Sequence, residues 1–171
     1  MKRWIWLLVM APVMWGLFDL VCWADTLHAW QYSPEFDPPT DADRTRAFLV
    51  FWGALLTPVI IGLAAAIVSF RRHHVAHWPW AEMAAVGLPW VVFLTSLFFP
   101  FRGQGPWERV VVSVIFAANL LMGGVVVMVC QNAGACIRQR KWGRLGVSAI
   151  PFLGGMIYLC WLYAFIIYVD T

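Results

Sequence analysis

Read for polarity alone, the chain is a series of long apolar runs separated by short charged ones. The runs extend from about Trp4 to Trp23, Ala47 to Phe70, Trp80 to Phe101, Val110 to Gln131 and Leu145 to Tyr168. An α-helix of roughly 20 apolar residues crosses a hydrocarbon core of about 30 Å, and each run has that reach. Stretches such as Val59-Ile60-Ile61-Gly62-Leu63 show none of the alternation that a transmembrane β-strand requires. The pattern therefore predicts an all-α polytopic membrane protein: one domain over residues 1–171, a bundle of five transmembrane helices, with a long loop at 24–46. Composition points the same way. The chain is 62% hydrophobic and 12% charged, against roughly 45–50% and 25% for a soluble domain. A soluble core of this size could not hide so much apolar surface from water.

Charge sets the expected orientation. With the N-terminus inside, Lys2, Arg3, Arg71, Arg72, Arg138, Arg140, Lys141 and Arg144 are cytoplasmic, and only Arg44, Arg46, Arg102 and Arg109 lie outside. Basic residues favour the cytoplasmic side, so the N-terminus is expected in the cytoplasm and the C-terminus outside, in a bacterial inner membrane. The first run follows Lys2-Arg3 as a secretion signal would. Its length, its Trp at both ends and the lack of a small-x-small site predict an uncleaved anchor instead. The 24–46 loop then faces out. It is acidic and holds Pro34, Pro38 and Pro39, yet also Trp30, Tyr32 and Phe36, which suggests a loop folded back on the headgroups or the helix tops. Thr40 or Asp41 followed by Asp43 has the form of a helix cap.

Few residues carry chemistry. Of the 12 Trp, most sit at run ends and fit the interfacial belt, where the indole ring meets headgroups and its N–H meets water. Trp52, Trp90 and Trp161 lie within runs and are the candidates for an aromatic cavity. Asp19 is an acid inside the first run, about one turn from Trp23. It is expected either to pair with Arg46, Arg102 or Arg109 or to serve as a proton or cation ligand, because an intramembrane acid is costly. Asn119 falls near the middle of the fourth run, where an interhelical hydrogen bond is expected. His73, His74 and His77 stand in a basic turn. As a helical turn, it would put His73 and His77 on one face as metal ligands with Glu82 nearby; otherwise the turn is a headgroup anchor. Small residues at Gly53 with Thr57, Gly62 with Ala66, Gly123-Gly124 and Gly154-Gly155 predict close helix approach.

No nucleotide-binding glycine loop, Ser/His/Asp set or His-Glu-x-x-His occurs. No enzymatic activity, cofactor or nucleic acid partner is therefore expected. The net charge of +3 suits contact with an anionic lipid bilayer. The expected role is contact with a membrane-protein partner or a second copy, as an accessory subunit or an immunity-type protein. The alternative is binding or transport of a small ligand in a Trp-lined cavity with Asp19 at its mouth. In length, run count and tryptophan content, with the Trp30 to Pro39 segment after the first run, the layout resembles the tryptophan-rich sensory protein family. Phe36-Asp37-Pro38-Pro39 stands where that family has a Trp-Pro-Pro pattern. Immunity proteins against pore-forming colicins are similar in size, span number and loop layout. Both likenesses concern architecture and supply no site residue.

Overall fold

The computed structural model describes residues 3–31, 40–98 and 106–169, with side chains described for 3–24, 40–91, 110 and 113–161. These residues form five α-helices and no strand: α1 (Ile5–Gln31), α2 (Asp41–Arg71), α3 (Trp80–Phe98), α4 (Pro106–Arg138) and α5 (Trp142–Val169). Among the described residues, α1, α2, α4 and α5 are long and apolar enough to cross a membrane.

The helix boundaries correct the expected 24–46 loop. The first helix continues to Gln31 and the second begins at Asp41, so only residues 32–40 separate them. The segment from Ala24 to Gln31 contains neither Pro nor Gly, so nothing breaks the helix before Pro34. The aromatics Tyr32 and Phe36 lie outside the described residues, as does the side chain of Trp30. At the other side of this gap Thr40 caps α2. The Asp43 amide donates to Thr40 Oγ1 at 3.3 Å and the Thr40 amide donates to Asp43 Oδ2 at 3.2 Å. Two orphan helix-end donors are satisfied reciprocally in this way.

Helix α4 is the hub, packed against the other four helices. Over its apolar window 56% of the residues are buried, against 17% for α1. Between membrane helices tight packing, rather than the hydrophobic effect, supplies the attraction, and α4 achieves it with small residues. A Cβ on Gly124 would stand 2.7 Å from the Leu7 Cα, and one on Gly134 would overlap the Ala66 backbone carbonyl. These glycines let α1 and α2 approach α4 backbone to backbone. Around them Met14, Leu55, Val86, Met122, Val126, Tyr158 and Leu159 form the main core, with contributions from all five helices. Gly53 has only open space beside it. Its neighbour Thr57 donates to its own helix, at Gly53 O, 2.6 Å away, so that pair turns away from the bundle.

Candidate functional site

The polar groups of the bundle concentrate at one end, where α2 gives way to α3. Helix α2 closes there with His73 in the left-handed region, at φ 56°. The His74 amide reaches back to Ser69 O at 3.4 Å, the signature of a Schellman motif, which normally places glycine at this position. Helix α4 ends alongside in the same way, with Arg140 at φ 53° and the Lys141 amide on Cys136 O at 3.0 Å. The chain from 73 to 78 is therefore not helical. This overturns the alignment expected of His73 and His77, which required a regular helical turn between them.

Residues 70–77 leave several carbonyls without helical partners, and side chains from α4, α5 and their junction supply them. Arg138 donates to Phe70 O, and to Arg71 O at 3.1 Å. Gln139 donates to His74 O at 2.8 Å, and Arg144 to Ala76 O at 3.1 Å. Asn132 grips both backbone groups of His77. Its Nδ2 donates to His77 O at 2.9 Å and its Oδ1 accepts from the His77 amide at 2.7 Å. The same Nδ2 reaches Ser148 Oγ at 3.2 Å. Irregular backbone near a membrane is tolerated where the protein itself satisfies it. The Arg144 guanidinium also lies over the Trp78 ring, 4.9 Å from its centroid, and Trp78 stacks on Trp80 at 6.0 Å.

Beneath this turn lies a polar chamber. Arg3, just before α1, pairs with Glu82 in the first turn of α3 at 2.7 Å, and the Glu82 side chain is fully buried. This is the ion pair present among the described residues. The second carboxylate oxygen of Glu82 has no hydrogen-bond partner among the described residues. Trp6 Nε1 donates to Gln131 Oε1 at 2.9 Å, tying α1 to α4. Arg3, Ser69, His74, His77, Gln131 and Asn132 line a cavity of about 150 Å³ with Val75 and Met128. Ser69 is wholly buried, and its hydroxyl has no partner among the described residues. The mouth is at the turn, where Val75 and His77 are exposed.

The residues singled out from the sequence fall in four places. His74 and His77 line the chamber, while His73 turns aside to Arg138, with Nε2 2.5 Å from a guanidinium nitrogen. No group of three or more His, Cys, Asp or Glu side chains able to hold a metal occurs among the described residues. Trp90 meets Tyr158 edge-on and Trp161 is tilted against both, with centroids 6.2–6.3 Å apart, and the two tryptophans pack on the core. Trp52 faces outward with Phe48 and lies edge-on to Phe51, which packs on the core. The structure therefore does not gather Trp52, Trp90 and Trp161 around one cavity, because α2 turns Trp52 to the outside. Asn119 is buried, yet among the described residues neither end of its amide meets a hydrogen-bond partner, in place of the interhelical bond expected there. Asp19 and Arg46 are both exposed and do not pair. The Arg102 and Arg109 side chains lie outside the described residues.

Sequence reasoning missed Arg3, Ser69, Gln131 and Asn132. One signal pointed to the first: Glu82 is the lone acid among the basic residues of its side, and an acid entering an apolar helix needs a cation. No family model matches the chain, and neither a curated protein nor a solved structure is found to be similar to it.

Proposed function

We propose that this is a non-enzymatic integral membrane protein that acts by lateral contact with another membrane protein, as an accessory subunit or an immunity-type blocker. In this reading α3 is a fifth span, the N-terminus is cytoplasmic, the C-terminus is outside, and the membrane is a bacterial inner membrane. The gathering of Arg3, Arg71, Arg72, Arg138 and Arg144 at one end of the bundle supports that orientation.

The observation that carries the reading is the outward face of α1. Leu8, Pro12, Trp15, Gly16, Asp19, Leu20 and Trp23 are all exposed and recur at helical spacing, so they form one stripe. Asp19 stands within it and is exposed. Its level in the bundle is marked by Phe116, against which Trp15 and Phe18 pack edge-on. A carboxylate turned toward lipid costs up to about 3 kcal/mol, falling toward the interface. The fitting complement is an Arg or Lys on a partner helix, which would satisfy the acid while covering the apolar stripe.

Pull-down in mild detergent with mass spectrometry, comparing the wild type with Asp19→Leu, tests this. Expected is a stoichiometric membrane protein with an Arg or Lys in one of its spans, lost with Asp19→Leu while the melting of the isolated bundle is unchanged. Recovery of the wild type alone, or equal recovery of the partner by both forms, would defeat the proposal.

A further inference from the structure

The geometry points to a second capability, independent of the partner face: the polar chamber at the basic end binds a single phosphate group. Its unengaged groups are mostly donors. Arg3 has one nitrogen on Glu82 and keeps further N–H groups of its fork. The Ser69 hydroxyl is buried without a partner among the described residues. Gln131 uses its oxygen on Trp6, which leaves its NH2 for the cavity. The imidazoles of His74 and His77 make no hydrogen bond among the described residues, although the backbones of both are held. Two acceptors of the lining are taken, Asn132 Oδ1 by the His77 amide and Gln131 Oε1 by Trp6. The unpartnered Glu82 oxygen belongs to a carboxylate that is not among the residues lining the cavity.

A cavity rich in donors and short of acceptors selects an anion with several oxygens. Its volume of about 150 Å³ exceeds the share of one liquid water, roughly 30 Å³, by enough to admit a tetrahedral oxyanion. Arg71 and Arg72, both exposed, lead into the same α2–α3 turn, and their charge raises the local concentration of anions. The phosphate could come from a lipid headgroup at the membrane surface or from a small soluble phosphate ester, and the chemistry of capture is the same.

Two variants probe the site without dismantling it. Gln131→Glu keeps an acceptor for Trp6 but replaces the free amide donor with a carboxylate oxygen. Ser69→Val replaces the buried hydroxyl with apolar methyl groups and is one heavy atom larger. The full-length protein in detergent is titrated calorimetrically with inorganic phosphate, and in parallel is released for native mass spectrometry from nanodiscs of phosphatidylethanolamine and phosphatidylglycerol. Expected is phosphate binding, or retained phospholipid, in the wild type. Gln131→Glu should weaken it by at least about tenfold, as loss of one charge-assisted contact implies, and Ser69→Val by a few-fold. Binding in the phosphate arm identifies a soluble ester as the source, and binding in the lipid arm identifies a headgroup. No binding in either arm, or undiminished binding by folded Ser69→Val and Gln131→Glu, would overturn the proposal. If Gln131→Glu does not fold, Ser69→Val alone decides.

Discussion

Asn119 and Asn132 are the same residue on the same helix, and both are buried, yet the two regions of the bundle use them in opposite ways. At the basic end Asn132 is committed at both ends of its amide, to the backbone N–H and C=O of His77 in the α2–α3 turn and to Ser148. In the middle of α4 Asn119 meets no hydrogen-bond partner among the described residues at either end of its amide. The difference lies in what surrounds each. Near the turn the backbone is irregular and offers free N–H and C=O groups. Along regular helices those groups are already consumed by the i to i−4 ladder, so an amide placed there finds little to bind. In this fold, burial marks a polar residue as structural only where helices end.

The comparison can be broken experimentally, starting at the basic end. Glu82→Ala should have the largest effect, lowering stability by about 3 kcal/mol, because the Arg3 guanidinium loses the carboxylate it is paired with. Unfolding of the bundle in mixed micelles, followed by circular dichroism, would measure it, and a loss well under 1 kcal/mol would show that the pair is idle. Asn132→Leu should cost about 2 kcal/mol, since orphaned backbone groups are expensive but the exposed His77 can recruit some water. The same variant should speed hydrogen exchange at the His77 amide while leaving the α4 interior protected. Asn119→Leu sharpens the contrast by changing sign. With no partner to orphan, it should be neutral or stabilise by up to about 1 kcal/mol. A loss as large as that of Asn132→Leu would mean that Asn119 does hold something in the folded protein.

How much of this was legible in the sequence follows from the same physics. The apolar runs marked every helix, because length and hydropathy are local properties. The Thr40–Asp43 cap was visible for the same reason. The far end of α1 was misplaced by eight residues, between Trp23 and Gln31, since a polar helix beyond the apolar run carries no hydropathy signal. The site was mostly invisible. Which face of α2 carries Trp52, or that Asn132 lies against His77, depends on contacts between residues far apart in the chain. The uniformly apolar runs gave little clue to which side of each helix faces inward. Asp19 and Glu82 stood out as isolated acids, but their surroundings turned out to be opposite. Glu82 is buried against a cation, whereas Asp19 is exposed among apolar neighbours.

The straps on the 70–77 turn also bear on how the protein is made. Their donors lie 55 to 68 residues further along the chain than the carbonyls they serve. At roughly 5–20 residues per second during synthesis, the hairpin of α2 and α3 exists for several seconds before Asn132, Arg138 or Arg144 has been made. During that interval the carbonyls from Phe70 to His77 lack the side chains that later strap them. Its final shape is therefore a late event in biogenesis, and a nascent chain halted before α4 would present an open, basic hairpin instead of the strapped one.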